Sequence, residues 1–146
     1  MDYYEESQVP LGYAVAMTSR LQSAIVKEHV QDLGITYAQV PFLAELFRQR
    51  EPITQDMLSK ALCIDPAATA RALEHLQKKG LIRRKVNPKN RRQKLVSVTE
   101  KANWMKSDFR AALRNATMEV LEPLTRDEQE ELGRLLSKVC LKAMTP

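Results

Sequence analysis

Asp65-Pro66 and Gly80 bracket a segment that has few ways to fold. A side-chain acceptor, a proline where a missing amide is tolerated, and a glycine able to turn left-handed together mark one helix from Pro66 to about Lys79. Upstream, Thr54 is placed to cap a shorter helix over about 55–62, with Asp56 in its first turn. The brief connection Cys63-Ile64 makes the two a helix-turn-helix pair. Downstream, β-rich runs at about 82–86 and 94–98 flank Asn87–Gln93, whose Asn-Pro step is a turn signal, so a two-stranded hairpin is expected.

Helices flank this unit. Ala14, Met17, Leu21, Ala24 and Ile25 recur at helical spacing within residues 9–33, and Gly34 closes that segment. Thr36 with Gln39 forms a capping box for a helix over about 37–50, with a bend expected at Pro41. Thr99 caps a long helix to about Glu122, apolar at Ala102, Met105, Phe109, Ala112, Ala116 and Val120. After Pro123, Thr125 with Glu128 opens a last helix that carries Leu132, Leu135, Leu136, Val139 and Ala143 on one side. The fold class expected is mainly α, with a small antiparallel β-hairpin. A chain of 146 residues reads as one domain that buries roughly 70% of its unfolded surface without a disulfide or metal staple.

The net charge of +5 is concentrated. Residues 1–51 sum to −3, residues 52–101 to +8 and residues 102–146 to 0. From Lys78 to Lys94 the chain carries nine basic residues and no acidic one. These are Lys78, Lys79, Arg83, Arg84, Lys85, Lys89, Arg91, Arg92 and Lys94. Like charges so gathered repel one another until a polyanion arrives, which points to nucleic acid. The helix from Pro66 adds a face of Ala68, Arg71, His75 and Lys78, small at its start and basic beyond, as a helix entering a major groove requires, although taken by itself the stripe fits an ordinary amphipathic helix with a polar outer face better. The hairpin tip Asn87-Pro88-Lys89-Asn90-Arg91-Arg92 suits a prong that inserts an arginine into a narrow minor groove.

Leu62 through Asp65 and Arg71 to Gly80-Leu81-Ile82, then the hairpin tip, then Leu95-Val96-Ser97-Val98-Thr99-Glu100-Lys101, resemble the MarR family of winged-helix transcription regulators. Gly34-Ile35-Thr36 with Gln39 and Leu43 also fits, so the resemblance covers nearly the whole chain. It implies a winged helix-turn-helix over 35–99 that binds double-stranded DNA, with 9–33 and 100–144 as dimerisation helices. It further implies a homodimer on a pseudo-palindromic operator, with half-sites about one turn (~10 bp) apart. DNA contacts are expected from Ala67, Ala68, Arg71, His75, Lys78, Arg84, Lys89, Asn90, Arg91, Arg92 and Lys94, with Arg91 or Arg92 in the minor groove. Asn90 stands where the family usually has Asp, which implies a more mobile and more positive wing. Pro66, Ala67, Ala68 and Ala70 replace residues that often bond phosphates or base edges.

The resemblance also implies a repressor released when a small aromatic or phenolic effector binds between the dimerisation helices and the winged region. His29 is a candidate to line that crevice, against a surface or capping role. Cys63 reads as a small buried residue that packs the turn, with a redox switch as the alternative. Cys140 reads as core or dimer interface, and Trp104 and Phe109 as packing residues. A winged helix used only for contacts with an acidic protein is another alternative. No nucleophile and base constellation, phosphate loop or paired-carboxylate motif appears, so catalysis is not expected, and no cofactor is implied. Cys63, Cys140, His29 and His75 do not make a zinc spacing. The start MDYYEES is unlike a signal peptide and no apolar run nears the ~20 residues of a membrane span, so a cytoplasmic setting is expected.

Overall fold

The structure, a computed structural model, describes residues 9–144. The acidic start, with the expectation drawn from it, lies outside these residues. Among them, no helix is long and apolar enough to cross a membrane.

The caps fall where the side chains allow. Helix α1 (Leu11–Val30) tightens into a 3-10 turn, Gln31–Leu33, and ends at Gly34 with φ 71°. Thr36 and Gln39 close a capping box, but over a 3-10 turn, Tyr37–Gln39, that runs into α2 (Val40–Arg48). The bend expected at Pro41 is this junction, and the proline sits in the first turn of α2. The Thr54 side chain accepts from the Met57 amide (3.1 Å) to start α3 (Gln55–Leu62). Asp65 Oδ1 accepts from Ala68 N (2.8 Å) to start α4 (Pro66–Lys78), and Gly80 follows with φ 75°. Thr99 opens α5 (Glu100–Val120) through the Ala102 amide (3.3 Å). Thr125 and Glu128 exchange bonds of 2.8 and 3.2 Å before α6 (Arg126–Met144).

Three strands form, not two. β2 (Ile82–Asn87) and β3 (Asn90–Val98) make the hairpin, and β1 (Ile53–Thr54) pairs with Val96 and Leu95 on the far side of β3, giving the order β1-β3-β2. Two residues are too few to show a strand period, so β1 exists only through its partner. The hairpin is also longer than the sequence suggested. Its turn is Pro88-Lys89 alone, and the expected loop 87–93 is largely strand.

The core joins the lower end of α1 (Val26, Val30) to α2 (Phe42, Leu43, Leu46, Phe47), α3 (Leu58), α4 (Leu73, Leu76), the sheet (Ile82, Val96) and α5 (Ala102, Phe109, Ala116). The upper stripe of α1 is different. Met17 and Leu21 are 42% and 52% exposed in the single chain, as are Leu135, Leu136 and Val139 of α6 at 46%, 50% and 67%. Those positions have the helical period but meet no core of their own chain.

Cys63 departs from its expectation. It is exposed, not buried, because it takes φ 53° as the C-cap of α3 and turns its side chain outward. Ser59 closes the same turn, its hydroxyl donating to Ile64 O (2.5 Å). A left-handed conformation costs an L-residue roughly 1–2 kcal/mol, whereas glycine loses only its extra chain entropy. Cys63→Gly is therefore expected to raise the unfolding free energy by about 0.5–1 kcal/mol in urea. A decrease would show that the thiol contributes more than its exposure suggests.

Candidate nucleic-acid interface

Asp65 and the buried Thr69, whose hydroxyl donates to Asp65 O (2.9 Å), fix the start of α4. With Thr69, Leu73 and Leu76 inward, the helical period of ~3.6 residues places Ala67, Arg71, Glu74 and Lys78 on the opposite ridge, and all four are exposed. Ala68 and His75 sit on one flank of that ridge and not on its crest. With Arg71 they line a crevice of about 640 Å³ between α4, the Tyr37–Gln39 turn and the helices α1 and α5. The face read from the sequence therefore splits in two.

Glu74 was not anticipated. It pairs with Lys78 at 3.2 Å in the middle of the basic ridge. The Lys78 ammonium, by hydrogen bond and then by charge, holds its carboxyl below the ordinary value; desolvation opposes this, and His75 and Arg84 add lesser lowering effects. An ionised carboxylate on such a ridge can accept from a cytosine amino group. The spacing Glu74 to Lys78 was visible in the sequence as an i,i+4 pair.

The wing presents its charges through an irregularity. Val86 lies opposite Lys94 but Asn87 lies opposite Asn90, so Arg91, Arg92 and Gln93 bulge from β3 without partners on β2. Two asparagines shape the bulge. Asn87 Oδ1 accepts from Lys89 N (3.0 Å) and its Nδ2 donates to Gln93 Oε1 (3.2 Å). Asn90 Oδ1 accepts from the backbone amide of Arg92 (3.1 Å), so it holds the chain at the arginine instead of the guanidinium. Lys89, Asn90, Arg91, Arg92 and Lys94 are all exposed. Arg92 and Lys94 border a hollow of about 320 Å³ shared with Gln55 and Asp56 of α3 and with Pro66 and Thr69 of α4.

Two of the nine cations do not face outward. Arg84 is half-buried, with Nε donating to Gln77 Oε1 (2.6 Å) and Nη1 to Gln55 Oε1 (3.4 Å), which ties β2 to α4 and α3. Lys79 is also half-buried and bonds to Gly34 O and Gln39 Oε1. Except for Gln77, which directly precedes the run, the acceptors come from segments far away in sequence, so nothing in the basic run itself separates these two from the rest.

His29 does not line the crevice; its Nε2 lies 3.5 Å from Glu119 Oε1 and bridges α1 to α5. Phe109 packs as expected, but Trp104 is 80% exposed, since it lies on the side of α5 away from Ala102 and Phe109. Cys140 is exposed on α6.

Residues 35–94 match the model of the MarR family. The chain is 30% identical to apo wild-type MarR from E. coli, covering 91% of this chain and 98% of that one, with a TM-score of 0.77. A mutant of the E. coli protein, complexed with operator DNA, matches at 31% identity over 90% of this chain and 94% of that one, with a TM-score of 0.79. A MarR transcriptional regulator from Methanosarcina mazei Go1 matches at 28% identity over 90% and 96%, with a TM-score of 0.82. With its helix-turn-helix, three-stranded wing and flanking helices, and with identity of this extent over nearly the full length, the chain belongs to the MarR family of transcription regulators.

Proposed function

We propose that this protein is a homodimeric, sequence-specific double-stranded DNA-binding regulator, acting as a repressor that a small molecule releases. The observation that carries this reading is the joint exposure of Arg71 and Lys78 on α4 and of Arg91 and Arg92 on the bulged wing. A rod sized for the major groove and a prong for the minor groove project from one winged unit, residues 35–99. The E. coli relative solved with operator DNA supports it. The exposed stripes of α1 and α6 support dimerisation through residues 9–33 and 100–144. Two-fold symmetry then calls for a pseudo-palindromic operator with half-sites about one turn apart.

The crevice beside α4 suits the effector. Arg71 and His75 supply the basic side chains of its lining, Tyr37 offers an aromatic wall, and no carboxylate lines it. That chemistry favours an anionic aromatic molecule. A ligand seated there would shift the dimer toward a half-site separation that does not fit DNA. A redox reading through Cys63 stands second, favoured by the thiol's exposure directly ahead of α4.

The test is selection of genomic fragments by the purified protein, followed by gel shifts over a salt series. A preferred site with steep salt dependence supports the reading, and neither would be seen for a module that contacts only proteins. Arg92→Ala is expected to weaken specific binding by about 1–3 kcal/mol and to reduce the salt slope by about one. Unchanged affinity would remove the wing from the interface.

A further inference from the structure

Lys79 belongs to the basic run, yet its ammonium is held by two acceptors of its own chain. It donates to Gly34 O at 2.6 Å and to Gln39 Oε1 at 2.9 Å. Gly34 closes the 3-10 turn that ends α1, so its carbonyl lies at the negative end of a helix, where a cation is favoured. Gln39 is 3% exposed, and the same Oε1 accepts from Thr36 N (3.2 Å) in the capping box. The end of α4 is gripped from its other side too. Lys101 Nζ donates to Lys79 O (2.7 Å), Thr99 Oγ1 to Gly80 O (2.6 Å) and Thr99 N to Leu81 O (3.1 Å). The C-terminus of α4 is thus clasped between the end of α1 and the start of α5.

We infer that Lys79 is a positioning residue that sets the angle of α4 against α1 and α5, and through it the separation of the two α4 helices in the dimer. This rests on the DNA-binding reading above and adds to it a determinant of half-site spacing. Two of the three ammonium donors are held by protein acceptors, the side chain is half-buried, and it leaves α4 away from the ridge of Ala67, Arg71, Glu74 and Lys78. A phosphate contact would have only the third donor left to it. The acceptors are neutral oxygens fixed by a glycine turn and a capping box, so they define a direction as well as a charge environment. Helices that read DNA in pairs tolerate little change in their separation, because the groove repeats only once per turn of ~10 bp.

The experiment uses the full-length chain and a duplex that the wild type selects from a random-sequence library. Binding of Lys79→Met and Gln39→Leu is followed by fluorescence anisotropy over a salt series. The same duplex is also tested with its half-sites moved one base pair closer and one further apart. Both variants are expected to bind the selected duplex about tenfold more weakly, with the salt slope of the wild type and with less discrimination among the three spacings. If Lys79 instead touches a phosphate, Lys79→Met lowers the slope by about one and Gln39→Leu, which frees the ammonium, binds no more weakly; that result overturns the inference. Equal discrimination among spacings in all three proteins overturns it as well. Should Lys79→Met or Gln39→Leu fail to fold, Lys79→Arg decides the matter. It keeps the charge but not two short bonds from one nitrogen, so a positioning role loses affinity and a phosphate contact keeps it. A wild type that selects no duplex overturns the DNA reading itself, whereas selection followed by either adverse result above overturns only the role of Lys79.

Discussion

Truncating Phe109 to alanine is expected to lower the unfolding free energy by about 3–5 kcal/mol. The ring is 1% exposed, and its centroid lies 5.5 Å from that of Phe47 in an edge-to-face contact at 60°. Phe47 in turn holds Lys106 Nζ 5.6 Å from its own ring centre. The ring pair joins α5 to α2, while α5 itself packs mainly along α1. Ile35, Leu46 and Ala102 remain buried around the same core, so the space left cannot close fully, and a cavity term adds to the lost apolar burial. Urea unfolding at one fixed protein concentration measures the effect, since the stability of the proposed dimer would depend on concentration. A loss below about 1 kcal/mol would mean that α5 repacks onto α2 without the ring.

Leu136→Glu combined with Val139→Glu is expected to convert a dimer into a monomer and to weaken operator binding at least about 100-fold. In the proposed dimer the second half-site would be bound at the effective concentration that dimerisation provides, and its loss would remove a factor of about 10²–10⁴. Both residues lie on the exposed apolar side of α6, so the charges disturb no core of their own chain. Brought against a partner's apolar stripe, they would be buried without a counter-charge. Sedimentation equilibrium should then give the mass of one chain, 16.7 kDa. A persistent dimer would place the interface elsewhere. Deleting residues 1–33 is a less selective perturbation, because Val26 and Val30 of α1 are part of the winged unit's core.

Much of the local architecture was legible because caps are written within three residues. Thr54, Asp65, Thr99 and the Thr125–Glu128 pair each satisfy an amide at i+3 or accept from one, and each marks the helix start that the structure has. Gly34 and Gly80 mark helix exits for an equally local reason, a positive φ. The candidate interface was legible in its composition and less so in its directions. That Arg71, Lys78, Arg91 and Arg92 would be exposed follows from charge and period. That Ala68 and His75 would turn toward a crevice does not, because the crevice walls come from α1, α2 and α5.

The sequence alone determined which segments are helices, where α3, α4, α5 and α6 begin, and that one strongly cationic hairpin follows a helix-turn-helix; those outcomes depend on hydrogen bonds and periodicities that span a few residues. Tertiary structure decided the rest. It created β1 by pairing Ile53 and Thr54 with β3 and left Met17, Leu21, Leu136 and Val139 uncovered. It also turned Lys79 and Arg84 inward while their neighbours stayed in solvent. The physical reason is one of reach: a lysine or arginine goes to the acceptors that the fold brings within about 3 Å, and Gly34, Gln39, Gln55 and Gln77 are brought there only when the helices and the sheet close on each other.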